Sequence, residues 1–198
     1  LQPNQTIVAA YLYWGGIGDG TFDSGIQLNG ISYSATQIFV TDPFGVIENS
    51  YFNSFCDVTN QFIDLGNTTY TFSDLDLNPI IGNYCSNAIH NAGWHIVVIY
   101  FDLSLPSIQL NVYDGGVSNF FNNGTTFVNI NNLNVVDTQN AQFSYVALNG
   151  SPNLFFNESV LFNGNILSNA LNPANNPFNG TNSFTESTTN WNQDIDTC

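Results

Sequence analysis

The most regular hydrophobic pattern lies between Gly93 and Gly116 and predicts two β-strands joined by a short loop. From Trp94 to Phe101 nearly every residue is apolar, β-branched or aromatic, and this run has the length of a strand rather than a helix. Because both faces of the run are apolar, we predict a central strand that is covered on both sides. The chain then returns from Ser107 to Tyr113 with alternating apolar and polar residues, which predicts a half-buried partner strand.

Shorter strands and turns are predicted on either side of this pair. Thr6 to Trp14 forms a second strongly apolar strand, which the Gly-rich stretch from Gly15 to Gly20 is predicted to break. Two apolar runs flank Asn29-Gly30, and an Asn-Gly pair in that setting is a strong signal for a β-hairpin. Those runs are 26–28 and 31–40, and the other predicted strands are 51–58, 69–72, 125–130, 133–136, 142–148 and 154–162.

Helical patterns are weak throughout the sequence. No segment has a sustained apolar period of 3.6 residues, and Lys, Arg and Met, which favour helices, are absent. Asn78 to Asn91 contains Pro79 and Gly82 and is predicted to be a long surface loop. We therefore predict an all-β fold, an antiparallel β-sandwich of jelly-roll type with long loops, in a single domain over residues 1–198.

The charge balance is unusual, because the chain has no lysine or arginine and carries a formal net charge of −15. Phosphate binding depends on basic side chains, so this charge argues against nucleic acid and against anionic membranes as partners. No apolar run reaches the length of about eighteen residues that a span needs, so we predict no membrane insertion. Clustered carboxylates in such a chain must be hydrated, spaced apart or bound to cations.

Two pairs of aspartates are candidate calcium ligands. Asp19 and Asp23 lie in the Gly-rich loop, and Asp194 and Asp196 flank Ile195 near the end of the sequence. Such alternating carboxylates present several oxygens, and Ca²⁺ takes about six to eight oxygen ligands. The alternative is that these are solvated turn residues, since the sequence contains no EF-hand or nonapeptide repeat. Asp194 and Asp196 are the preferred pair.

The three cysteines, Cys56, Cys85 and Cys198, have no CxxC spacing, which argues against a zinc site. In an extracellular protein Cys56 and Cys85 would form the natural disulfide, stabilising the fold by about 3–4 kcal/mol. The alternative is that these residues are buried thiols. Cys198 would pair outside the segment or with one of the other two.

Aromatic and titratable side chains give few signals for chemistry. Trp191 is the candidate for glycan contact, because it lies among polar residues where its ring could stack on a sugar. Trp14 and Trp94 have apolar neighbours and are predicted to anchor the core, and His95, in an apolar strand, is predicted to be structural. No carboxylate pair has a recognisable catalytic setting, so we predict no enzymatic activity. A secreted polysaccharide-active enzyme is the alternative, because a glycosidase pair is defined by its separation in space.

Seven short segments resemble, in the same order, parts of one protein family. They are AAYLYWGG (9–16), LNG (28–30), FCDVT (55–59), YTFSDL (70–75), GWHIVVIYFDLSLPSIQLNVYDGG (93–116), LFNG (161–164) and DIDT (194–197). These motifs are similar to the β-rich domain near the N-terminus of very large secreted adhesins of Bacteroidetes, the SprB-like gliding and surface adhesins. The resemblance implies export by the type IX secretion system and display on the bacterial cell surface in a long filament. It supplies no catalytic residues.

Together these patterns predict a non-enzymatic extracellular domain of a cell-surface adhesin, within a larger multidomain chain that functions in adhesion or gliding motility. As a structural module it would pack against neighbouring domains or surface proteins of the same filament. As a lectin-like module it would bind a glycan or an abiotic surface through Trp191 or the loop aspartates. The sequence slightly favours the structural module, because no cluster of aromatic and polar residues is visible in it.

Overall fold

The structure is a computed structural model whose described residues form two compact units, an N-terminal unit, Leu1–Asn131, and a C-terminal unit, Asn132–Cys198. It describes the whole chain except residues 43–49, 85–91, 119–123, 132, 134, 136–138, 140, 149, 151, 154–156, 191, 192 and 198 and the side chains of residues 83, 84 and 194. The single domain predicted over residues 1–198 stays a prediction.

Strands are the main regular element of the N-terminal unit and the only one among the described residues of the C-terminal unit, and every strand pair is antiparallel. The N-terminal unit contains β1 (Gln5–Ile17), β2 (Gly25–Leu28), β3 (Ile31–Ser34), β4 (Gln37–Thr41), β5 (Tyr51–Asp57), α1 (Thr59–Leu65), β6 (Phe72–Ser73), α2 (Asn78–Tyr84) and β7 (Ala92–Asp102). The C-terminal unit contains β8 (Ser144–Leu148), β9 (Leu161–Phe162), β10 (Asn165–Ile166) and β11 (Gln193–Thr197). The all-β prediction is confirmed, and the jelly-roll sandwich stays a prediction.

Two sheets of the N-terminal unit share one core. The first sheet has the order β4-β5-β1-β7, and the second has the order β3-β2-β6. On β1 the side chains of Ala10, Leu12 and Trp14 alternate onto one face and are fully buried. They pack with Ile26 and Leu28 of the second sheet, so the apolar alternation of β1 and β2 creates the core. Phe52 and Cys56 of β5, Phe62 of α1 and the intervening Val58 complete this cluster.

The sequence predicted that the glycines after Trp14 break β1. That prediction is wrong, because the strand continues to Ile17. Gly15 lies opposite Asn53 of β5 and Gly93 of β7. A Cβ atom at Gly15 would lie 2.3 Å from the backbone oxygen of Phe52. Gly15 therefore permits a close approach of two strands rather than a turn.

The Asn29-Gly30 hairpin is confirmed, and its two turn residues have positive φ angles of 51° and 75°. That pair of angles is the type I′ arrangement, which matches the twist of the flanking strands. The strand predicted over residues 31–40 is interrupted at Ala35 and Thr36, where the chain crosses between sheets. Ala35 N–H donates a hydrogen bond to the carbonyl oxygen of Ser24, just before β2 of the second sheet. Thr36 N–H donates one to the carbonyl oxygen of Phe55 in β5 of the first sheet.

The strand predicted over residues 94–101 is confirmed as β7, but its predicted central position is wrong. Among the described residues β7 pairs with β1 alone and lies at the edge of the sheet. The predicted return strand over residues 107–113 is also wrong, since this segment is irregular and Ile108 is 78% exposed. Beyond it the chain lies against the first sheet, where Tyr13 Oη donates a hydrogen bond to Asp114.

Two short helices were not predicted. α1 follows β5 directly, with Asp57 Oδ1 accepting a hydrogen bond from Thr59 N–H, and it ends at Gly66, whose φ is 57°. α2 occupies the first half of the predicted 78–91 loop, and its Ile80 is buried against Ile17. Each helix has only two turns, which is too short for a helical period to emerge from the sequence.

The C-terminal unit is built from two strand pairs, β8 with β11 and β9 with β10. The predicted Asn163-Gly164 turn joins β9 to β10 with φ angles of 49° and 82°. β11 was missed, because its sequence, Gln-Asp-Ile-Asp-Thr, contains a single apolar residue and shows no apolar pattern. In β11 Ile195 lies opposite Val146, and Asp196 lies opposite Tyr145.

Candidate functional site

The Gly-rich loop uses its predicted calcium ligands to hold its own backbone. The carboxylate of Asp23 accepts hydrogen bonds from Gly25 N–H at 3.0 Å and Asp76 N–H at 2.5 Å, and Asp19 accepts one from Thr21 N–H. The carbonyl of Asp23 also accepts from Trp14 Nε1 at 3.1 Å. These contacts match the alternative interpretation of turn residues, and calcium at Asp19 and Asp23 stays a prediction.

Cys56 lies in the core on β5, opposite Leu12 of β1, and is buried without a disulfide to any described residue. Burial raises the pKa of its thiol to about 11, with Asp57 adding to the effect. Cys85 and Cys198 lie outside the described residues, so the predicted Cys56–Cys85 disulfide stays a prediction. The position of Cys56 favours the alternative of a buried, unreactive thiol.

His95 stacks on Tyr13 across the β1–β7 pair, with ring centroids 4.8 Å apart and planes within 8° of parallel. Burial lowers the pKa of His95 to about 4, so the imidazole is neutral at physiological pH. Burial and the bond to Asp114 raise the pKa of Tyr13 above its usual value. These two rings pack together, in keeping with a structural role for His95.

The three tryptophans differ in their surroundings. Trp14 is fully buried in the core, as predicted. Trp94 is 37% exposed at the edge strand and stacks on Phe72 at 5.1 Å, so the prediction that it is a core anchor is only half right. Trp191 lies outside the described residues, and its contact with a glycan stays a prediction.

An open groove of about 560 Å³ lies where β1 meets the start of α1. Tyr11 and Tyr33 contribute aromatic rings to its wall, and Asp57, Asn60 and Gln61 contribute polar groups. Tyr33 Oη donates to Gln61 Oε1 at 3.0 Å, and Gln61 Nε2 donates to Leu28 O at 2.9 Å, which fixes both side chains. This groove was not predicted from the sequence, because its residues come from separate strands and from α1.

A second groove, of about 310 Å³, runs beside the edge strand β7. Its apolar wall includes Phe62 and Tyr70, whose rings stack with centroids 4.0 Å apart. Val98 and Tyr100 of β7 complete the wall and are 36% and 42% exposed. We call this groove, together with the unpaired edge of β7, the β7 edge.

A buried polar cluster surrounds Asp196 in the C-terminal unit. Asp196 and Asn172 are fully buried, and Thr181 is 5% exposed. Asp196 Oδ1 accepts from Ser183 Oγ at 2.9 Å and Thr181 Oγ1 at 3.4 Å, while Asn172 Nδ2 donates to Ser183 Oγ at 3.1 Å. Burial raises the pKa of Asp196, and the hydrogen bonds oppose that shift. Asp196 was predicted from the sequence as a ligand, but its partners Asn172, Thr181 and Ser183 were not.

Asp194 shares β11 with Asp196, and the structure does not describe its side chain. Among the described residues, no three or more His, Cys, Asp or Glu side chains come together as a metal-binding group. Among the described side chains, the neighbours that bond to Asp196 or to its partners are thus hydroxyls and an amide.

Comparison with protein-family models, with curated proteins and with solved structures finds no match to this chain. Within the described part of the chain, neither helix has the length and apolar character needed to cross a bilayer.

Proposed function

We propose that this chain is a non-enzymatic domain of an extracellular bacterial surface adhesin and that it packs against neighbouring domains or surface proteins of the same filament. The β7 edge is the observation that carries this proposal. β7 has eleven residues and, among the described residues, pairs only with β1. An open strand edge is a template for pairing with another chain. A long edge that is unpaired within its own domain is therefore expected where a partner chain pairs with it.

The side chains along the β7 edge support a protein partner. Trp94, Val98 and Tyr100 lie on one face of the strand and are each at least 36% exposed. The neighbouring groove beside Phe62 and Tyr70 would accept an apolar side chain of that partner. Aromatic side chains of this kind dominate the energy of protein interfaces.

The charge of the chain fits an extracellular setting. With a net charge of −15 and no Lys or Arg, the domain repels nucleic acid and the anionic surface of a membrane. Its two histidines are the only basic side chains that could form ion pairs with its carboxylates. The fold is therefore stabilised mainly by apolar packing and hydrogen bonds. Type IX secretion and a role in gliding motility belong to this same proposal.

Interface variants provide the test. In a protein that contains this domain and its adjoining domains, Val98→Lys and Tyr100→Lys should remove protection of the β7 amides from hydrogen exchange and lower surface attachment of the cells. Ile166→Lys introduces the same charge at a side chain that is 55% exposed in the C-terminal unit and serves as the matched control. β7 amides that exchange equally fast in the wild type and in Val98→Lys would contradict the docking role.

Display outside the cell has a separate test. Antibodies against this domain should label intact cells of the source bacterium, and added protease should remove the label. Labelling only after the cells are lysed would contradict the proposed location.

The groove beside α1 supports a second candidate, a lectin-like glycan-binding module. Sugar sites combine aromatic faces with amide and carboxylate groups, and Tyr11, Asp57 and Asn60 supply those groups here. A glycan array should then give a signal that Tyr11→Ala removes, whereas Trp191→Ala tests the site predicted from sequence. A silent array would leave the structural role as the only candidate, and release of sugar from a polysaccharide would favour an enzyme.

A further inference from the structure

The face of β7 that continues the core is left uncovered at the edge of the first sheet. Val98 lies opposite the fully buried Ala10 of β1, so its side chain points to the same face as the core. Val98 and Tyr100 are nevertheless exposed on this face. The groove of about 310 Å³ beside them is walled by Phe62, which belongs to the core, and by Tyr70, which packs against it. The core is therefore incomplete along β7.

Residues 107–113 follow β7 in the chain and form no regular element. Ile108, Leu110 and Val112 alternate with polar residues and are all exposed. No backbone group of this segment is hydrogen-bonded to another described residue. The segment has the pattern of a half-buried strand, but neither its backbone nor its apolar face has a partner in the described structure.

The segment does not pair with β7 of its own chain. At the end of β7, Asp102 accepts hydrogen bonds from Ser104 N–H at 2.8 Å and Ser104 Oγ at 2.6 Å, and Leu105 N–H donates to Asp102 O at 3.2 Å. Beyond the segment, Tyr13 Oη donates a hydrogen bond to Asp114. Tyr13 points away from the core face of β1, so this contact holds the chain over the sheet rather than beside β7. The β7 edge thus stays open to another chain.

The charge distribution favours a second copy of this chain as the partner. Two copies with a net charge of −15 repel each other. Between Gly93 and Tyr113, however, Asp102 is the only acidic residue. Many soluble proteins block an open edge with lysine, which this chain lacks. The β7 edge and residues 107–113 therefore form a nearly uncharged apolar stretch where two copies can meet without opposing carboxylates.

We propose that residues 107–113 of one copy add a strand to the β7 edge of a second copy and that the exchange is reciprocal. Main-chain hydrogen bonds would pair the segment with β7, and its apolar side chains would fill the groove beside Phe62. Residues 103–106 alone separate the donor segment from β7, so both pairings form at one place and close a twofold dimer. This pairing rests on the proposed function, because it names the partner of the β7 edge.

Association of the full 198-residue chain tests the pairing. Light scattering over a dilution series should give twice the mass of one chain at high concentration and the mass of one chain at low concentration. The amides of β7 and of residues 107–113 should exchange more slowly in the dimer than in the monomer. The mass of one chain at every concentration up to about 1 mM would overturn the proposal. A dimer in which these amides gain no protection would also overturn it.

Variants on the two sides of the pairing separate it from non-specific association. Leu110→Pro removes a backbone donor from the added strand, and Val98→Lys places a charge on the face that it covers, so each alone should weaken dimerisation at least about tenfold. Val128→Pro makes the matched change at an exposed residue of another irregular segment and should leave the dimer intact. A Leu110→Pro protein that dimerises as tightly as the wild type would overturn the proposal.

Mixing the two variants gives a sharper result. The segment of Val98→Lys is intact and so is the β7 edge of Leu110→Pro, so an equimolar mixture can form one of the two pairings. The mixture should therefore dimerise more strongly than either variant by itself. A mixture that associates no better than the separate variants would overturn the reciprocal exchange.

Two results distinguish this pairing from docking of an unlike partner. If the β7 amides are protected in a protein with the adjoining domains while the 198-residue chain stays a monomer, the β7 edge docks another partner and only the pairing with a second copy is overturned. If these amides are unprotected in both proteins, the docking role is overturned with it.

Discussion

Gly15 and Gly93 face each other across β1 and β7, yet their surroundings differ. A Cβ at Gly15 would collide with the Phe52 carbonyl oxygen, whereas a Cβ at Gly93 would have no atom within 4 Å. The sequence indicated only that glycines interrupt an apolar run, since it carries no information on how closely β5 approaches. The role of a single residue here depends on its partner strand.

Gly15→Ala should therefore lower the free energy of unfolding by about 2–3 kcal/mol, because backbone atoms must move to admit the methyl group. Gly93→Ala is the matched control and should change stability by less than about 1 kcal/mol, or raise it slightly. Denaturant unfolding of both variants measures the difference. Equal stabilities would contradict the close approach of β1 and β5.

His95 makes stability depend on pH. Its pKa is lowered from 6.5 to about 4 by burial, so the folded state binds fewer protons than the unfolded state between these values. The stabilising contribution of the neutral ring is fully present above pH 6.5 and is lost as the pH falls towards 4. The loss amounts to at most about 3 kcal/mol.

Replacing His95 by Gln removes the titrating group from its stack on Tyr13. The stability of His95→Gln should then decline less than that of the wild type between pH 6.5 and 4, as measured by urea unfolding at fixed ionic strength. Parallel curves for the two proteins would show that other groups cause the acid sensitivity.

At the scale of whole elements, the positions of turns and of some strands could be predicted from the sequence, whereas the pairing of strands within a sheet could not. The Asn29-Gly30 and Asn163-Gly164 turns were predicted because their backbone angles depend on two adjacent residues. β7 was predicted as a strand, but its position at the edge was not. That position depends on which strands pair with it, and the hydrophobic pattern of a single strand does not reveal the strand order of the sheet. The 107–113 segment has an apolar alternation and yet forms no strand. The Asp196 cluster could not be predicted either, because it joins Asn172, Thr181 and Ser183 to a residue of β11 through tertiary contacts that the sequence pattern does not show.

The first hairpin is sensitive to its second turn residue. Gly30 has φ of 75°, where an L-amino acid is strained, and a Cβ there would meet no other atom. Gly30→Ala should thus cost about 1–2 kcal/mol through backbone strain alone. Gly82→Ala, which also has open space and no positive φ, serves as the control in thermal unfolding. A Gly30→Ala protein as stable as this control would contradict the type I′ turn.

At the scale of the whole molecule, the chain separates into an N-terminal unit with a shared apolar core and a C-terminal unit with a buried polar cluster. The sequence predicted one domain, because its composition changes gradually and marks no linker. Among the described residues, the main buried cluster of the first unit comes from β1, β2, β5, α1 and Val58, which lies between β5 and α1. Its stability therefore rests on contacts within residues 1–131.

We expect the two units to unfold in separate steps. Hydrogen exchange in increasing denaturant should release the amides of β11 at a different concentration from those of β1, because the two strands belong to different compact units. One shared transition for both strands would instead support the single domain predicted over residues 1–198.

The location of Cys56 gives the protein an internal reporter. Cys56 belongs to one buried cluster with Leu12, Phe52 and Phe62 and is only 2% exposed, so an alkylating reagent has no access to it while the sheets remain packed. The rate at which the Cys56 peptide becomes modified would therefore track how often the first unit opens, without any introduced dye or label. In the surface filament that we propose, mechanical stretching would make such openings more frequent, and modification of Cys56 would record them.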